Sequence, residues 1–137
     1  MFPSDTNILI ADDMMTMRKL VKKSLSELGF TQITEAENGA RALQKFEAAA
    51  LTPNPFKLIV SDWNMPEMTG IQFLRKVREK HPNLPFILLT AESEKSQVIE
   101  ALQARVSGYI VKPFSSQQIG EKLQAVYAAL NPAAKAA

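Results

Sequence analysis

The chain contains no cysteine, which removes a disulfide framework and thiolate chemistry and fits a cytoplasmic protein. It has no apolar run long enough to span a bilayer, so no membrane role is expected. Met1 to Asp5 offers no basic segment leading into an apolar stretch, and no signal peptide is expected there. The formal net charge is only +2, too slight to argue for nucleic acid. Arg18, Lys19, Lys22 and Lys23 do cluster, but at helical spacing. They read as a solvated helix face, with a docking surface for an acidic partner as the alternative.

What is present is enough for one domain. A chain of 137 residues buries roughly 68% of the surface its unfolded form exposes. Short apolar runs alternate with segments of helical period. The predicted strands are Asn7–Ala11, Gln32–Ala36, Phe56–Ser61, Pro85–Thr90 and Gly108–Val111. Met17, Leu20, Val21, Leu25 and Leu28 form one helical stripe, closed by Gly29 as a left-handed stop. Ile119, Leu123, Val126, Tyr127 and Leu130 form another. It opens on a capping box, Ser115 with Gln118, and a hydrophobic staple, Phe114 with Ile119. Residues 48–55 read as a loop. Five strands alternating with five helices imply an α/β fold, a parallel sheet with helices on both faces. Pro132 ends the last helix, and residues 132–137 read as a frayed tail.

In such sheets the ligand site lies beyond the carboxyl ends of the strands. The predicted first strand exits into Asp12 and Asp13, the third into Asp62, the fourth at Thr90 and the fifth at Val111-Lys112-Pro113. Three carboxylates, a hydroxyl and an ammonium would meet at one edge. The acids repel, and at least one pKa should rise. A hard divalent cation relieves that repulsion, and so few carboxylates suit Mg²⁺ better than an all-protein Ca²⁺ cage. Asp12, Asp13 and Asp62 are the candidate ligands, with a backbone carbonyl near Asn64 as another. A metal so held also attracts phosphate, and a carboxylate can accept a phosphoryl group. Asp62, alone on the central strand, is the best acceptor, with Thr90 and Lys112 placed to meet the phosphoryl oxygens. Each acid taken singly also reads as a helix cap or turn residue, Asp13 most of all.

The stretches ILIADDMMTMRKLV, ITEAENGARAL, VSDWNMPEMTG, LLTAES and SGYIVKPF resemble response-regulator receiver domains, most closely the single-domain regulators of chemotaxis. The resemblance runs from Ile8 to about Leu130, and the receiver domain is expected over residues 5–131. It implies a flavodoxin-like, doubly wound fold with strand order 2-1-3-4-5. It implies that Asp62 takes phosphate from a histidine kinase with Mg²⁺ on Asp12 and Asp13, and that Thr90 and Lys112 bind the phosphoryl group. Tyr109 matches an aromatic that turns inward on activation, and Lys112-Pro113 would be cis. Asn64 and Glu92 match positions that tune phosphate lifetime, here toward quick self-hydrolysis. The last helix ends close to the end of the chain, so the readout is expected on the domain's own surface: Lys95, Val98, Val106, Tyr109, Val111 and Lys122. Val98 and Val111 read equally well as core. The resemblance implies a cytoplasmic monomer that is no enzyme beyond its own phosphorylation and dephosphorylation. Its implied partners are a histidine kinase, a flagellar motor switch protein and a phosphatase.

Three features depart from the pattern. Thr69 stands where an acidic residue is common, and the loop at 48–55 is long. Arg105-Val106 replaces a glycine near the end of the fourth helix. A left-handed Arg costs roughly 1–2 kcal/mol, so that helix is expected to end differently. His81, the lone histidine, reads as a solvated loop residue or a charge at a helix end rather than a phosphoryl carrier. Other outputs stay open, namely a phosphate sink or a relay. A haloacid-dehalogenase-like phosphatase would want a second acid where Asn64 stands. A flavodoxin would find Asp12 and Asp13 repelling its phosphate.

Overall fold

The inner strands read NILIA, LIVSD and FILLT, apolar until their ends, because both of their faces are covered. The computed structural model describes residues 1–91 and 95–130. Along the chain run β1 (Asn7–Ala11), α1 (Met15–Glu27), β2 (Gln32–Ala36), α2 (Gly39–Ala50), β3 (Leu58–Asp62), α3 (Gly70–Lys80), β4 (Phe86–Thr90), α4 (Lys95–Gln103), β5 (Gly108–Val111) and α5 (Ser116–Leu130). The strands form one parallel sheet in the order β2-β1-β3-β4-β5, as expected.

Alternation along each strand divides the core into two layers. Leu9, Ala11, Ile59, Phe86 and Leu88 pack with Phe46 of α2, Phe73, Leu74 and Val77 of α3, and Ala101 of α4. Ile8, Ile10, Leu58, Val60, Ile87 and Leu89 pack on the other face with Val21 and Leu25 of α1 and Ile119, Leu123 and Val126 of α5. The order reverses between β1 and β3, which exit side by side, and that is where this architecture opens a crevice.

The helix ends follow local chemistry. Gly29 has φ +100°, Phe30 N–H donates to Leu25 O and Gly29 N–H to Ser26 O, a full Schellman closure of α1. The capping box of α5 forms, with Ser115 N–H on Gln118 Oε1 at 2.7 Å and Gln118 N–H on Ser115 Oγ at 3.2 Å. A second box opens α3, where Thr69 and Gln72 exchange the same pair of bonds. Threonine at 69 is thus a helix cap.

Four expectations need correction. Alanines 48 to 50 continue α2 instead of starting a loop, in keeping with the high helix propensity of alanine. β3 begins at Leu58, since Phe56 is buried in the α2–α3 layer without pairing as strand, and it runs on to include Asp62. Leu20 is exposed, and Val21, Ser24 and Leu25 make the inner face of α1. Arg105 does adopt a left-handed conformation, φ 64°. Arg105 N–H on Leu102 O and Val106 N–H on Ala101 O complete a Schellman closure with arginine in the glycine position. The buried guanidinium of Arg78 holds that turn, Nε donating to Arg105 O at 2.9 Å. Residues 132–137, with the expected frayed tail, lie outside the described residues.

Candidate acidic site at the strand exits

Asp12 follows β1 directly. Its N–H donates to Ala36 O, which extends the β1–β2 ladder by one bond, and its Oδ1 accepts the Met14 N–H at 2.9 Å. That short turn, and no capping by Asp13, starts α1, because the N-cap residue is Met14 and it carries no side-chain cap. Asp62 ends β3. Its Oδ1 accepts from Trp63 N–H at 2.9 Å and from Lys112 Nζ at 3.0 Å. Lys112, just past β5, is aligned by its own N–H on Thr90 O, and Nζ also lies 3.7 Å from Asp12 Oδ2. The Lys112-Pro113 bond is cis. Oxygen atoms of Asp12, Asp13 and Asp62 all lie within 4.8 Å of one another.

The acids differ in surroundings. Asp12 and Asp62 are buried, and Asp13 is exposed. Burial pushes the Asp12 carboxyl up to about 6, with Asp62 and Asp13 adding to the rise and the Met14 N–H and Lys112 opposing it. Its Oδ2 is buried and, among the described residues, accepts no hydrogen bond. A buried anionic oxygen without a donor is costly unless a cation takes it. Three hard oxygen donors, one orphaned, fit a divalent cation such as Mg²⁺ better than a soft metal. Asn64 follows on the loop and is exposed.

Close approach fixes that loop. A Cβ on Gly70 would lie 2.1 Å from Asp62 O, and one on Gly39 would lie 2.3 Å from Met68 O. Glycine at both positions lets α2 and α3 press against the segment that leads away from Asp62.

Thr90, at the end of β4, is buried, and its hydroxyl donates to Gln97 Oε1 of α4 at 3.3 Å. Behind it is a cavity of about 10 Å³, lined by Trp63, Thr90, Gln97, Val98, Ala101 and Tyr109. That volume is about one water's worth. Tyr109 is half-buried, and Lys122 Nζ sits 5.7 Å from its ring centroid. Val98, Val111 and Lys122 are half-buried as well, and Val106 packs on the core. Glu92 and the side chain of Lys95 lie outside what the structure describes. His81 is far from this edge. It caps the end of α3, as one of the two expectations had it, and its half-buried ring meets Phe46 edge-on at 5.1 Å.

Three contributors carry no sequence signal of the usual kind. Gln97 is a polar residue facing inward, invisible to apolar periodicity. Arg78 hides in a mixed helical stretch. Arg18 shares the helical spacing of a solvated face, yet its side chain is only 15% exposed, Nε meeting Glu35 at 3.3 Å and a second nitrogen donating to Asp12 O at 2.8 Å. Lys19 and Lys22 also converge on Glu35. Burial works to raise the Glu35 carboxyl, and Lys19, Arg18 and Lys22 together bring it below its usual value.

Comparison with known proteins adds to this geometry. The family model described as the response regulator receiver domain matches residues 8–124. Chemotaxis protein CheY of Pseudomonas aeruginosa is 45% identical over 126 residues, 90% of this chain and 98% of that protein. Among solved structures, Vibrio cholerae CheY4 has a TM-score of 0.78 and 31% identity, covering 89% of this chain and 98% of that one. CheY of a CheX-CheY-BeF3-Mg complex from Borrelia burgdorferi has a TM-score of 0.82 and 27% identity, covering 89% of each chain.

Proposed function

Because the chain belongs to the response regulator receiver domain family, we propose that it is a chemotaxis response regulator switched by phosphorylation of Asp62. The donor is a phosphohistidine of a sensor kinase. The observation that carries this reading is the convergence of Asp12, Asp13, Asp62 and Lys112 at the reversal of the sheet. Asp62 Oδ1 is engaged by Lys112 and the Trp63 N–H, which leaves Oδ2 as the attacking oxygen. A bond forms from Oδ2 to phosphorus as the phosphorus–nitrogen bond of the donor breaks. Asp12 and Asp13, with Asp62 and the carbonyl of Asn64, would hold Mg²⁺, which when bound supplies charge neutralisation for the incoming phosphoryl group. Lys112 neutralises the phosphoryl oxygens from the other side, and the Thr90 hydroxyl donates to one of them.

The product is an acyl phosphate, and its charge and acceptors shift the balance between two packings of the domain. Thr90 moves toward the phosphoryl group and Tyr109 turns into the space behind it. The cavity there is too small for a phenol ring until Thr90 moves. The altered face, Lys95, Val98, Val106, Tyr109, Val111 and Lys122, then binds a flagellar motor switch protein in the cytoplasm. Asn64 and Glu92 keep the phosphate short-lived, and a phosphatase is the third partner. Receiver domains signal by this cycle and turn over no external substrate.

The test is treatment with a small-molecule phosphoryl donor and Mg²⁺, read by intact mass. One phosphoryl group should be gained, lost in hydroxylamine, and absent from Asp62→Asn. Phosphorylated protein should bind a motor-switch peptide more tightly than the Asp62→Asn variant. Equal affinity removes the motor as the output, and no modification removes the whole reading.

A further inference from the structure

The helix next to the site is lightly held. Among the described side chains of α4 only Ala101 is buried, while Ile99 and Leu102 are 44% and 59% exposed. Its polar ties to the rest of the molecule, among the described residues, lie at three levels. Near its start, Gln97 Oε1 accepts from the Thr90 hydroxyl at 3.3 Å. In its middle, Glu100 pairs with Arg75 at 2.9 Å on the surface. Past its end, Arg105 O accepts from Arg78. Of the three, only Gln97 reaches a residue at the acidic edge. A weakly buried helix belongs to the low-stability end of a fold, where one hydrogen bond changes populations measurably.

The chemistry of that bond decides what it does. A threonine hydroxyl carries one proton and so donates to one acceptor at a time. While Thr90 donates to Gln97, that proton is not available to an anion on Asp62. Gln97 also lines the small cavity together with Trp63 and Tyr109. The release of Thr90 therefore frees a wall of the cavity as well as the first turn of α4. We propose that Gln97 is a resting-state latch, a positioning residue that holds Thr90 and the start of α4 together and competes with the phosphoryl group for the Thr90 proton. This deepens the functional reading above and rests on it. Activation of the acidic site and loosening of α4 become one event, because the same proton cannot serve both acceptors.

The test uses beryllofluoride, a phosphoryl mimic, with Mg²⁺, followed by the fluorescence of Trp63, the only tryptophan of the chain and part of the cavity wall. Gln97→Met removes the acceptor at similar volume, and Gln97→Leu serves as a second variant. Both should raise the apparent affinity for beryllofluoride by about two- to tenfold, the range of one net hydrogen bond. Affinity for Mg²⁺ alone should stay unchanged. In a Thr90→Val background the Gln97 substitutions should have no effect, since the latch then has no proton to hold. Unchanged or weaker beryllofluoride binding in both variants overturns the latch, as does an effect that persists with Thr90→Val. If the unsubstituted protein shows no beryllofluoride response, the phosphoacceptor reading fails first, and the latch falls with it.

Discussion

Asp12 holds its proton up to about pH 6 in the folded protein and gives it up near 3.8 when unfolded. Between those values the folded state binds more protons, so this group's contribution to stability falls as pH rises and is at its lowest above about 6. Asp12→Asn, which keeps an acceptor for the Met14 N–H, should stabilise the metal-free protein by about 2 kcal/mol at pH 7.5 and little at pH 4. Urea unfolding across that range without divalent cations measures it. Arg78 is the opposite case, a buried cation served by backbone. Besides Arg105 O it donates to His81 O at 3.0 Å, Leu84 O at 2.7 Å and Ser107 Oγ at 3.2 Å. Burial, with Arg105 nearby, lowers it to about 10, so it stays charged at neutral pH. Arg78→Met would strand these acceptors and should cost about 3 kcal/mol in urea unfolding.

At the scale of elements, backbone strain sits at two non-glycine residues with left-handed φ among those described, Glu67 in the loop before α3 and Arg105 at the end of α4. Arg105→Gly should raise stability by up to about 1 kcal/mol while leaving Mg²⁺ affinity alone, as thermal unfolding with and without the ion would show. Amides of α4 should also exchange with solvent faster than those of α3, which buries Ile71, Phe73, Leu74 and Val77 where α4 buries Ala101. The elements themselves were legible, since apolar runs for doubly covered strands such as β3 and β4 and boxes such as Ser115 with Gln118 are written locally. What escaped was written elsewhere. The Arg105 conformation depends on a guanidinium 27 residues away, and Gln97 matters through one side-chain bond to Thr90. The end of α2 is hard to read because the loop signals after Ala50 overshadow the helix-forming alanines before them.

For the whole molecule, three acids at the strand exits could be read from chain order alone, because a parallel sheet delivers every strand end to one edge. The inequality between them could not, since it arises from burial that only the packed core creates. If those acids take Mg²⁺, the ion should stabilise the entire fold by about 2.7 kcal/mol at a hundredfold excess over its dissociation constant. Asp12→Asn and Asp13→Ala should each remove most of that gain, and thermal unfolding in rising Mg²⁺ reads it directly. Gly39 and Gly70 set a further condition on the chain as a whole. Two helices are pressed onto one short segment with no room for a single added carbon at either point. In a population of randomly mutated genes under selection for signalling, both positions should stay almost invariant, while exposed Glu47 between them drifts. Inheritance would preserve two missing side chains more strictly than many that are present.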